Sequence, residues 1–145
     1  MTVYDSSVLV AALLPAHPDY RRCRPPLDRA RAEAGVHRCT THALAETFRV
    51  LAALPIKPPL TKQAARMLVT QTLAPHLDPL PLRATDYVAA LDLVCESTLG
   101  AGAIYDALHL VAARRARAER LVTLNLRHFR TLVGSAHGWP QIEEP

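Results

Sequence analysis

No stretch of the chain approaches the roughly 20 consecutive apolar residues that a membrane-crossing helix needs. Its first residues run straight into a strand-like segment without a basic leader, so a soluble, unsecreted, cytoplasmic protein with no membrane partner is expected. Cysteine is scarce: Cys23, Cys39 and Cys95 are odd in number and widely spaced, which leaves no C-x-x-C pair for redox or zinc chemistry. A reducing compartment with thiols as small core-filling groups fits that usage. The 5 glycines form no G-x-G-x-x-G turn, no Walker-type loop and no G-x-S-x-G elbow, so dinucleotide-binding, P-loop and serine hydrolase chemistries have no motif here. Lysine occurs only at Lys57 and Lys62, and arginine carries almost all of the net charge of +4. The arginines group at Arg21, Arg22, Arg24, Arg29 and Arg31 and again at Arg114, Arg115, Arg117 and Arg120. Such groups suit a polyanionic partner, or they simply solvate helix faces.

With 50% hydrophobic residues, 145 residues suffice for one sizeable core and are short for two, so residues 1–145 are read as a single domain. No internal repeat, low-complexity segment or linker interrupts it. Thr2-Val3-Tyr4 reads as a strand that meets a capping turn at Asp5-Ser6-Ser7 and a helix ending before Pro15. A helix over about 19–34, kinked or broken at Pro25 and Pro26, closes at Gly35, and Val36 to Thr40 forms the second strand. Helices follow over about 41–54 and 61–74, the second capped by Thr61. Leu77 to Leu82, interrupted by two prolines, suits only a sheet edge. Thr85 is expected to cap a helix fading near Ser97 and Gly100, and residues 103–117 form the most apolar helix. Leu121 to Leu124 is the clearest buried strand, followed by a short helix from Leu126 to Val133 and a weak strand at Gln141-Ile142. Short strands alternating with helices, without hairpin turns, predict an α/β fold with a parallel sheet covered on both faces.

Sheets of that kind bind ligands just past the carboxyl ends of their strands. Asp5 and Asn125 each follow a strand immediately, Asp106 opens the most apolar helix, and Glu46 sits on the third helix among apolar neighbours. Each has an ordinary reading. Asp5 and Asn125 are good helix N-caps, each worth about 1 kcal/mol; Asp106 suits the helix dipole in a first turn; Glu46 can be a solvated surface residue. Jointly they outline acids on elements whose ends converge, and crowded carboxylates repel unless a cation neutralises them. A hard divalent cation with oxygen ligands is the natural occupant.

Four segments in order carry a resemblance: Val3-Tyr4-Asp5-Ser6-Ser7-Val8-Leu9, Ala45-Glu46-Thr47-Phe48, Tyr105-Asp106-Ala107-Leu108-His109-Leu110 and Val122-Thr123-Leu124-Asn125-Leu126-Arg127-His128-Phe129. Together they resemble the PIN-domain family, and specifically the toxin ribonucleases of VapBC toxin-antitoxin pairs, over nearly the entire chain. The resemblance implies a three-layer α/β/α fold around a mainly parallel sheet of four to five strands. It further implies an acidic pocket that holds Mg²⁺ or Mn²⁺ and cuts single-stranded or looped RNA. By that likeness Asp5, Glu46 and Asp106 are the metal-site and catalytic carboxylates. Asp5 and Asp106 bind the metal directly or through water, and Glu46 orients the attacking water. Ser7 supports the pocket through its hydroxyl, and Thr123 and Asn125 line it. Asn125 stands where many relatives carry a fourth acid; its amide adds no negative charge, which argues against a stable second metal. Arg114, Arg115 and Arg127 are the candidates for RNA phosphate contacts. The family also implies a homodimer and a cognate VapB-like antitoxin whose tail blocks the pocket.

Two other readings meet this pattern. A haloacid-dehalogenase-like phosphatase also begins with strand-then-Asp, but needs a second Asp where Ser7 stands. His37-x-Cys39-x-x-His42 has donors close in sequence for zinc, although a buried strand entering a helix explains it more simply. The rival from another class is a catalytically weak or inactive PIN-like module that binds RNA or protein, for which Asn125 is the main support.

Overall fold

Alternation along very short strands divides the interior into two cores. The computed structural model describes residues 1–145, and in it β1 (Thr2–Tyr4) sends Tyr4 to one side of the sheet and Val3 to the other. The remaining strands are β2 (His37–Thr40), β3 (Asp78–Leu80), β4 (Arg120–Val122) and β5 (Gln141–Glu143), all parallel, in the order β3-β2-β1-β4-β5. Parallel pairing demands crossovers, and helices supply them on both faces. Tyr4, Cys39 and Val122 pack in one core with residues of α1 (Ser6–Leu13), α2 (Tyr20–Ala32), α3 (Thr41–Ala53) and α4 (Lys62–Met67). Val3, Leu80 and Leu121 pack in the other with α5 (Ala84–Glu96), α6 (Ile104–Arg115) and α7 (Leu126–Val133). The result is the expected three-layer α/β/α arrangement, with five strands. No helix is long and apolar enough to cross a membrane.

Several local expectations needed tertiary information to be right. The proline-bearing β3 is an edge strand, as its missing N–H groups require. Pro25 and Pro26 do not break α2, which runs continuously through them. The helix expected over 61–74 begins with the Thr61 cap but changes to a wider π-helical turn over Leu68–Leu73, and no residue there marks the change. The cap of α5 is not Thr85: the helix starts at Ala84, and Asp86 reaches back to accept the Arg83 amide at 2.8 Å. Gly35, at φ +77°, takes the left-handed conformation that the turn before β2 requires.

What positions the site is the order of the strands. The chain builds outward from β1 through β2 to β3, then returns to lay β4 on the other side of β1. The carboxyl ends of β1 and β4 therefore lie side by side and send α1 and α7 to opposite faces of the sheet, opening a crevice between them.

Candidate active site

Asp5, the residue after β1, caps α1 and is gripped by four groups. Its Oδ1 accepts the Ser6 amide at 2.7 Å and, weakly, the Ser6 hydroxyl at 3.4 Å; its Oδ2 accepts the hydroxyls of Ser7 at 2.6 Å and Thr123 at 2.9 Å. Ser7 Oγ in turn accepts the Leu124 amide, and Thr123 Oγ1 accepts the Asn125 amide, so the end of β4 is stitched to the start of α1. The capping reading of Asp5 is therefore true and insufficient. A cap needs one donor, whereas this carboxylate is fixed in place from two elements.

Asn125 does not cap α7. Its side chain makes no cap hydrogen bond and instead donates from Nδ2 to Asp106 Oδ2 at 2.9 Å; His128 Nδ1 lies 3.0 Å from the same oxygen. Asp106, in the first turn of α6, has its carboxyl raised above the ordinary range, first by burial and then by the negative charge of Asp5, with His128 and His109 only partly offsetting these. That is the signature of acids crowded without full compensation.

Glu46, on α3, accepts a 2.7 Å hydrogen bond at Oε2 from His109 Nε2. His109 lies one turn after Asp106 on α6 and is fully buried, with its other nitrogen 2.7 Å from Thr40 Oγ1 and Nε2 3.7 Å from Asp5 Oδ1. Burial works against its charge, but the Glu46 hydrogen bond and the fields of Asp5, Glu46 and Asp106 outweigh it and hold the imidazole above its usual range. Burial likewise raises the Glu46 carboxyl, and the bond and charge of His109 more than reverse this, leaving it low. The buried His109 ring thus sits in the field of all three acids.

Asp5, Ser7, Glu46, Asp106 and Asn125 line one cleft of about 370 Å³, together with His17 and Arg49. The donor types, three carboxylates and an amide oxygen, suit a hard divalent cation. In the present side-chain positions no three acidic, His or Cys side chains form a cage by themselves, because Glu46 is drawn to His109 and Asp106 to Asn125 and His128. Asp5, Asp106 and Glu46 are the groups on this cleft that could hold the ion.

Thr123 and two of the expected phosphate contacts, Arg114 and Arg115, are engaged within the fold. Thr123 is fully buried beneath Asp5 and can reach no substrate; its hydroxyl holds the Asp5 carboxylate and the Asn125 amide instead. Arg115 is clamped by Asp86 through two hydrogen bonds of 2.9 and 3.0 Å and by the Pro81 carbonyl at 2.7 Å. Arg114 stacks over Trp139, 4.3 Å from the ring centroid. Arg127, exposed on α7 beside Asn125, borders a neighbouring open groove with Arg130 and Thr131. On α2, Arg22, Arg24 and Arg31 pair with Asp19 or Asp28, the ordinary role of solvated helix charges. The His37, Cys39 and His42 donors do not converge: His37 bonds Tyr4 and Glu33, His42 stacks on Tyr105, and burial pushes the Cys39 thiol up to about 12. Sequence reasoning gave no role to His109, His128 or Arg49. The signal for His109 was its spacing, three residues after Asp106 on the same helix face.

No curated protein matches the chain in sequence. Among solved structures, VapC20 of Mycobacterium tuberculosis, a Sarcin-Ricin loop cleaving toxin, superposes with a TM-score of 0.67 at 13% identity, covering 83% of this chain and 87% of its own. FitAB bound to the IR36 DNA fragment superposes with a TM-score of 0.70 at 15% identity, covering 100% of this chain and 95% of its own. These likenesses concern the fold. The sequence itself matches the model of the PIN domain over residues 2–132, a span that includes every acid of the cleft, and the chain belongs to the PIN domain family.

Proposed function

We propose that this chain is a divalent-metal-dependent endoribonuclease, the toxin of a toxin-antitoxin pair, that hydrolyses RNA phosphodiester bonds. The observation that carries the reading is the single cleft between β1 and β4 that gathers Asp5, Glu46, Asp106 and Asn125, with Asp106 raised by burial and by Asp5. A fold has no use for carboxylates crowded in this way, whereas PIN-domain nucleases generally use divalent metals, which explain them.

Asp5 and Asp106 hold Mg²⁺ or Mn²⁺ in this reading. When bound, the ion offsets charge developing on the phosphate and acidifies water. The protein supplies the rest. Ser6, Ser7 and Thr123 fix the orientation of Asp5, and Asn125 and His128 fix that of Asp106. Glu46 orients the attacking water, and His109 holds that carboxylate at Oε2. Arg127, and Arg49 on the cleft wall, supply positive charge for the phosphates flanking the scissile bond.

The fold shared with VapC20, a Sarcin-Ricin loop cleaving toxin, supports an RNA substrate and a toxin role. A cognate VapB-like antitoxin that occludes the cleft, a homodimeric assembly and a cytoplasmic location complete the proposal. One observation favours a second reading, a binding module without catalysis: Asn125 presents an amide N–H to Asp106 where an acid would add charge.

Incubating purified protein with structured and unstructured RNAs in Mg²⁺, Mn²⁺ or EDTA, beside Asp5→Asn, separates the two. Metal-dependent cutting absent from the folded variant establishes the nuclease; RNA binding without cutting in any metal establishes the module.

A further inference from the structure

A second groove adjoins the acidic cleft and shares its wall. His42, Ala45, Glu46 and Arg49 fall at spacings of three and four on α3 and so share one helix face. With Tyr105 they line a cavity of about 510 Å³, and Glu46 and Arg49 also border the cleft. Tyr105 stacks on His42 with ring centroids 5.3 Å apart and planes only 4° from parallel, yet remains 49% exposed. Nothing in the fold requires a large aromatic there, since a tyrosine half in water contributes little to either core.

We infer that this groove is a subsite for an unpaired nucleobase of single-stranded or looped RNA, with Tyr105 as the stacking platform and Arg49 holding the phosphate that links that nucleotide to the cleft. The inference rests on the nuclease reading and names how that site grips its substrate.

The geometry suits the ligand. Tyr105 precedes Asp106 in the chain, so a base seated on it lies one residue from a cleft carboxylate. His42 covers one side of the ring and holds its plane, leaving the other side to solvent. Ala45, between His42 and Glu46, leaves the groove open where a longer side chain would fill it. Base-on-aromatic stacking tolerates any base and discriminates strongly against duplexes, whose bases are already stacked. The subsite therefore selects unpaired RNA by strandedness.

The test is the affinity for a fluorescein-labelled, unstructured 10-nucleotide RNA, measured by anisotropy in EDTA so that no cutting intervenes. Tyr105→Leu is expected to weaken binding by about 10-fold or more, in the range of a lost base stack. Tyr105→Phe is expected to stay within about 3-fold of wild type because the platform persists. Arg49→Ala is expected to weaken binding and to reduce the slope against log salt by about 0.7, one phosphate contact on a single strand. The same sequence as a duplex should bind the wild type and Tyr105→Leu alike. Unchanged affinity of folded Tyr105→Leu for the single strand, or no saturable binding by the wild type, overturns the subsite. Cleavage that requires Asp5 together with Tyr105-independent binding sinks the subsite and leaves the nuclease standing. Tyr105-dependent binding without cleavage in Mg²⁺ or Mn²⁺ does the reverse.

Discussion

The two ends of α6 carry buried charge to opposite effect. At its tail, Arg115 meets Asp86 in a two-pronged ion pair, and Asp86 also accepts the Arg83 amide. Burial alone would raise the Asp86 carboxyl; Arg115 and that amide more than cancel it and hold the group below its ordinary value. At the head, Asp106 has no cation of comparable reach and is raised. The same residue type on neighbouring elements is satisfied in one place and strained in the other. Satisfied charge fixes how α5 packs on α6, whereas strained charge is what a site retains for chemistry.

Removing one partner of the tail pair gives the largest effect. Asp86→Ala should destabilise the fold by about 2–3 kcal/mol in urea unfolding, because it leaves the half-buried Arg115 guanidinium and the Arg83 amide without their carboxylate, while activity per folded molecule is unchanged. A comparable loss of activity would mean that the two ends of α6 are coupled.

At the head, His109→Gln removes the imidazole that holds Glu46. We expect kcat for RNA cleavage to fall about 10- to 100-fold with KM little changed, as for groups that orient a site residue. A change confined to KM would place His109 in substrate binding instead.

Thr123→Val keeps the shape of a buried side chain and deletes one donor to Asp5. Stability should change by about 1 kcal/mol, with a several-fold drop in kcat through a looser Asp5. An unaltered kcat would mean that Ser6 and Ser7 suffice to hold the carboxylate.

The smallest effect distinguishes the two ends by sign. Asp86 is depressed when folded, so its contribution is present above its unfolded value near pH 4 and is lost as pH falls through the lower folded value. Asp106 is elevated, so stability declines as pH rises from about 4 through its folded value. Urea midpoints between pH 3 and 7 without divalent ions should show a shallower acid-side loss in Asp86→Ala and a smaller decline toward neutral pH in Asp106→Asn. Slopes of the same sign for both would remove the contrast.

The sheet and the acids were legible because they are local. Val3 and Tyr4 alternate, prolines expose β3 as an edge, and Asp5 and Asn125 follow strands directly. The partners were illegible because they are distant: Asp86 and Arg115 are 29 residues apart, and Glu46 and His109 are 63 apart. Arg115 therefore read as one member of a basic group, and His109 as part of an apolar run. Thr123 was placed at the pocket through the resemblance, but a single sequence does not show which face of a strand end is covered. Asn125 taken alone reads as a cap and was placed in the pocket only through the resemblance, because nothing local reveals that α6 brings Asp106 to its amide.

The most direct test of the central claim is Asp106→Asn, assayed for RNA cleavage in Mn²⁺ and for thermal stability in EDTA. The account predicts cleavage reduced by more than about 100-fold with a melting temperature equal to or above that of wild type, because the acid serves the reaction and strains the fold. Cleavage that survives the substitution, or a protein that loses stability with it, would contradict that claim.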